Sequence, residues 1–307
     1  MILPKALKSG DTVGFIAPAS PPDLKNMERS LAFFTSLGLK VKEGKHLRNV
    51  NGYLAGTDEE RVEDLHAMFS DPEVKAVICA GGGYGTGRIA DKIDYDLIRN
   101  HPKIFWGYSD ITYLHTAIRQ ETGLVTFHGP MPASDVGKDE FHELSGKMFA
   151  QLFEPRELHY SEAISELSVI AEGAATGELT GGNLTLLMST LNTKHEIDMK
   201  DKILLIEEVG EEPYRIDAML SQLRSAGKLH EVNGIVAGDF KHAEPTNGKP
   251  SLSLEEVLQH YLGDLGIPVV SGFKIGHCEP HFSVPLGVNA KLSAGEKTLT
   301  LLPGVEW

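Results

Sequence analysis

The sequence predicts an α/β protein of two domains, the first a mostly parallel sheet flanked by helices, the second richer in strands. Three observations predict it. Up to Phe153, short apolar runs alternate with segments of helical period, the pattern of a parallel sheet covered on both faces. Beyond Phe153 strands recur with fewer helices between them. A chain of 307 residues also exceeds what one hydrophobic core normally serves, ~250–300 residues. The boundary is expected near residue 165, giving domains 1–165 and 166–307.

The elements follow in order. Thr12 to Ala17 reads as a buried strand running into the turn Pro18-Ala19-Ser20-Pro21-Pro22. A helix starts after Asp23, an N-cap, and stops at Gly38, a natural C′ residue. Its apolar positions Leu24, Met27, Leu31 and Phe34 recur every three or four residues. Leu39 to Val41 starts a second strand, and Thr57 with Glu60 forms a capping box for a helix through Phe69. Val74 to Cys79, Ile104 to Trp106 and Leu124 to Phe127 read as three more strands. Residues 154–176 mix Pro, Ser, Glu and Ala without a period and read as a linker. After them come strands at Ile203–Ile206, Gly234–Ala237 and Pro268–Val270, a helix from Tyr214 to Ala226, and a closing hairpin around Ser293–Glu296.

Composition narrows the function. Hydrophobic residues make up 41% and charged residues 23%, as in an ordinary globular protein. Against 29 Lys and Arg stand 43 Asp and Glu, a net charge of −14, so phosphate backbones are repelled and nucleic acid is not an expected partner. No apolar run approaches the ~20 residues that cross a bilayer, and the Met1–Lys5 start lacks a signal peptide's apolar core. Cys79 and Cys278 are the two cysteines, too few for a disulfide scaffold. A cytoplasmic location is expected.

Four segments carry possible chemistry. Gly107-Tyr108-Ser109-Asp110 lies between a strand and a helical segment, where a serine projects above the sheet beside backbone N–H donors. It is half of the hydrolase elbow G-x-S-x-G, with Ile111 in place of the second glycine; alternatively Ser109 or Asp110 is an N-cap. Gly81-Gly82-Gly83-Tyr84-Gly85-Thr86-Gly87-Arg88 follows strand 74–79. It lets backbone approach a ligand closely, yet Arg88 stands where a Walker motif needs lysine, leaving an anion nest or a tight turn. Glu207, first after the apolar run 203–206, is the acid expected to face inward, among glutamates that otherwise suit a solvated face. In Gly276-His277-Cys278-Glu279-Pro280-His281 the proline opposes the helix that H-E-x-x-H requires, so a loop histidine acting as general base fits better than a metal site. Cys79, inside a strand, reads as a small buried hydrophobe.

Taken together these segments resemble the LD-carboxypeptidase family of serine peptidases, which includes hydrolases conferring immunity to microcin C. The resemblance starts at Leu7–Val13 and Ala17–Ser20, and continues through Gly82–Gly85, Gly107–Asp110, His128–Pro130 and Gly181–Leu184. It closes with Glu207, Pro213–Asp217, Gly276-His277 and Pro285–Gly287. It implies an N-terminal domain like class I glutamine amidotransferases and a C-terminal β-rich, barrel-like domain, with the site in the cleft between them. It further implies a triad of Ser109, Glu207 and His277, with Glu208 the competing acid, and an oxyanion hole from the N–H groups of Asp110 and of Gly82 or Gly83. Tyr84 and Asn183 stand in matching motifs as candidate substrate contacts, and Arg88 or Arg215 would meet a substrate carboxylate. One departure is Gly81, where the family often has arginine.

The activity so implied is release of terminal D-alanine from a cytoplasmic murein tetrapeptide, without cofactor or metal, and the resemblance favours a homodimer. The alternatives are hydrolysis of a microcin C-type peptidyl nucleotide, or muropeptide binding without catalysis. Adenine recognition would want aromatic platforms, and aromatics make up only 7%. Activity is expected to fall below about pH 6.5 as His277 protonates.

Overall fold

The computed structural model describes residues 1–246, 248 and 250–307. In chain order it runs β1 (Thr12–Ile16), α1 (Leu24–Ser36), β2 (Lys40–Glu43), α2 (Asp58–Ser70), β3 (Val74–Cys79), α3 (Thr86–Ile89), α4 (Tyr95–Asn100), β4 (Ile104–Gly107), α5 (Thr112–Thr122), β5 (Thr126–His128) and α6 (Glu143–Lys147). There follow β6 (Leu158–Tyr160), β7 (Ser168–Ala171), β8 (Ala174–Asn183), α7 (Leu184–Thr190), β9 (Ile203–Val209), α8 (Pro213–Ser225), β10 (Gly234–Lys241), α9 (Leu254–Leu262), β11 (Val269–Ser271), β12 (Val284–Leu286), β13 (Asn289–Ser293) and β14 (Thr298–Leu301). None of these helices is long and apolar enough to cross a membrane.

Two compact units result. The first comprises Met1–Arg156 together with Pro280–Gly287 and Pro303–Trp307. Its sheet has the order β12-β5-β4-β3-β1-β2, parallel throughout except for β12, which pairs antiparallel with β5. The caps read from the sequence are in place. Asp23 accepts from the Asn26 N–H, and Thr57 and Glu60 form a reciprocal box on α2. The β4 residue Trp106 is fully buried, stacks on Phe149 at 4.4 Å and donates its indole N–H to Pro130 O. Burial of each such side chain contributes roughly 1.5–3 kcal/mol.

The second unit comprises Glu157–Glu279 and Val288–Leu302. Its eight strands lie in the order β6-β14-β13-β8-β9-β10-β11-β7 and curl into half a barrel. The centre, β8 to β11, is parallel, and the flanks are antiparallel. Leu204, Ile206, Leu220, Leu223, Ile235 and Leu262 belong to its core.

The structure differs from the sequence reading in two places. Residues 154–176 are not a bare linker, because they contain β6 and β7. These are edge strands of three and four residues, too short to show a period in sequence. The division falls at Arg156/Glu157 rather than near 165, and the chain's end is shared: 280–287 and 303–307 return to the first unit. Val284–Leu286 returns because β5 offers a free edge at which it completes the ladder.

Candidate active site

In the first unit β4 ends at Gly107, and Ser109 opens a short 3₁₀ turn that leads into α5. Ser109 has φ +64°, a left-handed conformation that costs a non-glycine residue on the order of 1–3 kcal/mol and tends to mark a functional turn. Side chains hold the turn. His115, one turn into α5, lies with Nε2 2.8 Å from Gly107 O. A carbonyl only accepts, so Nε2 carries the proton. His115 is fully buried, edge-on to Phe105, and burial pushes its pKa down to about 3. It is a neutral donor. The Tyr108 hydroxyl donates to Asp135 Oδ1 at 3.0 Å. The Asp110 carboxylate accepts the Thr86 N–H at 2.9 Å, while Thr86 Oγ1 donates to Asp110 O. Burial raises the Asp110 carboxyl, and the Thr86 bonds pull against it.

The glycine loop lies against this turn. A Cβ added at Gly82 would come within 3.0 Å of Ser109 Cβ and 3.1 Å of its Oγ, so only glycine lets the loop backbone approach the hydroxyl so closely. Gly83 follows at φ +106°, and the Tyr84 N–H donates to Ser20 Oγ. This juxtaposition brings Ser109 and Gly82 together, as an oxyanion-binding turn requires.

In the second unit β9 carries Glu207 and Glu208 side by side, and strand alternation sends them to opposite faces. Glu207 is fully buried, with Oε2 2.8 Å from His277 Nδ1. A carboxylate in that position accepts from Nδ1–H, which sets the tautomer with Nε2 as the proton acceptor. Gly276 makes room: at φ +125°, a Cβ there would sit 2.7 Å from Glu207 Oε2. Glu208 does other work. It accepts from Asn183 Nδ2, from the N–H and hydroxyl of Thr185, and from its neighbour Val209 N–H. It thus anchors the start of α7, its carboxyl raised by burial against those bonds. The acid facing the histidine is Glu207.

Known proteins share this construction. A model of the LD-carboxypeptidase N-terminal domain matches residues 13–129, and one of the LD-carboxypeptidase C-terminal domain matches 176–292. A probable murein peptide carboxypeptidase of Bacillus subtilis is 57% identical over 302 residues, covering 98% of this chain and 95% of that one. The chain belongs to the LD-carboxypeptidase family. It is a serine carboxypeptidase. The microcin C7 self-immunity protein MccF of Escherichia coli is 25% identical, covering 98% of this chain and 95% of that protein. The crystal structure of a muramoyltetrapeptide carboxypeptidase from Oxalobacter formigenes matches with a TM-score of 0.84 at 28% identity, over 94% of this chain and 97% of that one.

Within this family member the remaining predicted residues have plain surroundings. Arg88 is half exposed and paired with Asp58 at 3.0 Å; Arg215 is exposed and paired with Glu211 at 3.3 Å. Tyr84 is exposed, edge-on to Tyr53. Asn183 is buried and caps α7, its Oδ1 accepting from the Leu186 N–H. The two histidines of the 276–281 segment part company. His277 meets Glu207 in the second unit, whereas His281 packs in the first with Nε2 3.3 Å from His128 Nδ1. Cys79 is buried, and burial pushes its thiol far up, as for Cys278.

Two residues escaped the sequence reading. His115 is one. The other is Arg61, 1% exposed, whose Nη1 donates to Pro18 O and Gly85 O and whose Nη2 donates to Asp58. It ties the glycine loop to α2 and to the turn after β1. A signal existed: Arg61 shares a helical face with Leu65 and Met68, so a charge stands in an apolar stripe.

Proposed function

We propose that this carboxypeptidase releases the terminal D-alanine of a cytoplasmic murein tetrapeptide, using Ser109 as nucleophile, His277 as general base and Glu207 as its orienting acid. The observation that carries the reading is the strained Ser109 with the Gly82 backbone against its hydroxyl. The 57% identity to a probable murein peptide carboxypeptidase supports the substrate class, against 25% to the microcin immunity protein.

The chemistry runs in two halves. His277 Nε2 takes the Ser109 proton as Oγ attacks the carbonyl carbon between the diamino acid and D-alanine. The oxyanion is stabilised by the N–H groups of Asp110 and of Gly82 or Gly83, each donor worth ~10²–10³ in kcat. The imidazolium then gives its proton to the departing amine, leaving an acyl ester on Ser109. Water, deprotonated by His277, attacks the ester, and tripeptide leaves as serine regains its proton. Glu207 stabilises the imidazolium throughout.

The test is mass spectrometry of tetrapeptide conversion to tripeptide plus D-alanine by wild type and Ser109→Ala. Turnover by wild type, with a loss of roughly 10⁴-fold or more in the variant, is expected. Equal turnover by both would end the triad assignment. Preferential hydrolysis of an aminoacyl sulfamoyl adenylate would move the substrate to the microcin class.

A further inference from the structure

Between β5 and α6 the chain makes one turn of π-helix, Pro132–Val136. In it the N–H groups of Val136 and Gly137 donate to the carbonyls of Met131 and Pro132, five residues back. Such turns are rare, carry one residue more than an α-turn, and are frequent at functional sites. This one is fixed in place. A Cβ at Gly137 would overlap Asn26 O, so α1 packs directly on its end, and Pro132, Ala133 and Val136 are buried. The reaction above gives the turn no task.

Two segments that flank the Ser109 hydroxyl are fastened to it. The first is the turn that carries Ser109 itself. Tyr108 Oη donates to Asp135 Oδ1 at 3.0 Å. The buried Tyr108 ring stands edge-on to His281 and His128, with centroids 4.8 and 5.5 Å away. Held in this way the ring cannot swing, so a shift of its hydroxyl is a shift of the backbone next to Ser109. The second segment is the glycine loop. The Ala133 N–H donates at 2.8 Å to Ala80 O, one residue before Gly81. A Cβ at Gly81 would lie 3.2 Å from Ser134 Oγ, and one at Gly82 would lie 3.4 Å from Met131 Cε.

The two attachments meet in one carboxylate. Asp135 Oδ2 accepts the Met131 N–H at 2.8 Å while Oδ1 holds Tyr108. Hydrogen bonds to an ionised carboxylate are roughly twice as strong as neutral ones. Tyr108 is thereby tied to Met131, whose methyl abuts Gly82. Donors that stabilise an oxyanion act only when held within ~0.5 Å of the productive position, and this tie spans the two segments whose spacing decides it.

We propose that Asp135 is a positioning residue for acyl transfer, its carboxylate fixing the distance between the Ser109 turn and the Gly82 backbone so that nucleophile and oxyanion donor stay in register. It acts through Tyr108 and Met131, not on the reacting atoms. The assignment rests on Ser109 as nucleophile and adds a residue to that reading. Such geometry serves the tetrahedral state more than the bound peptide, so its loss falls on kcat rather than on KM.

The test measures kcat and KM on the tetrapeptide, together with inhibition by a peptide boronate whose tetrahedral serine adduct mimics the intermediate. Asp135→Ala is expected to lower kcat roughly 30-fold with KM within about twofold of wild type, and to weaken the boronate by a similar factor. Asp135→Asn, which keeps a polar partner for both groups, recovers activity to within about fivefold of wild type. Tyr108→Phe keeps the ring and loses the hydroxyl, lowering kcat about tenfold. Added to Asp135→Ala it costs less than about twofold more, because both changes cut the same tie. An aspartate that only supports the fold would lower the melting temperature and leave kcat and boronate affinity at wild-type values. That result in Asp135→Ala, or in Tyr108→Phe should Asp135→Ala not fold, overturns the positioning role alone. Full turnover by Ser109→Ala defeats the serine reading instead, and the positioning role with it.

Discussion

At the Gly107–Asp110 turn the backbone itself is under tension, with Ser109 at φ +64° and His115 pinning the carbonyl before it. On β9 the backbone is an ordinary strand, and Glu207 is placed by burial and by the space that Gly276 leaves. The proposed nucleophile is thus positioned by conformation and the proposed acid by packing. The difference teaches which changes each region tolerates. A strained turn gains stability when its strain is released, and a packed carboxylate loses function when its surroundings shift by a fraction of an ångström.

The sharpest way to break this comparison is Ser109→Gly. It removes the hydroxyl and also relieves the left-handed strain, so activity falls by roughly 10⁴–10⁶-fold while stability rises by about 1 kcal/mol. Turnover measured beside urea melts decides it, and an unchanged or lower midpoint would show that the turn stores no strain. Next in size is the contrast between neighbouring glutamates. Glu207→Gln should cost roughly 10³–10⁴-fold in kcat through loss of the imidazole's partner. Glu208→Gln, which weakens the anchor of α7, should lower stability by about 1–2 kcal/mol with a much smaller kinetic loss. Similar kinetic losses in both would contradict the division of labour between the two faces of β9.

The smallest effect at neutral pH concerns His115. Its folded pKa near 3 lies below the unfolded value of about 6.5, so the unfolded chain takes up the proton first. The contribution is fully present above about pH 6.5 and is lost progressively as pH falls toward 3, by on the order of a few kcal/mol. His115→Gln, whose amide nitrogen can serve the Gly107 carbonyl, should flatten that acid limb in melts at pH 7, 5 and 4. Identical acid limbs in wild type and variant would remove His115 from the account.

Much of this was legible in the sequence because local rules act on neighbouring residues. The caps at Asp23 and Thr57 and the five runs that became strands β1 to β5 follow from period and turn chemistry, whereas the pairing of Glu207 with His277, 70 residues apart, is implied only by the family resemblance. What stayed hidden depends on partners remote in the chain. β6 and β7 are strands only because β14 and β11 offer them edges. His115 looks like any helix residue until α5 is laid over the end of β4. Arg61 stood in plain view in an apolar stripe, yet its target, the Gly85 carbonyl, is named only by the fold.

The return of β12 to the first sheet has a consequence for biogenesis. β5 emerges from the ribosome with a bare edge, and its partner Val284 follows roughly 155 residues later. At typical translation rates of ~5–20 residues per second the wait is on the order of ten to thirty seconds. During that interval a nascent chain exposes a template on which strangers can pair. A gene fragment ending at Arg156 would keep that vulnerability permanently.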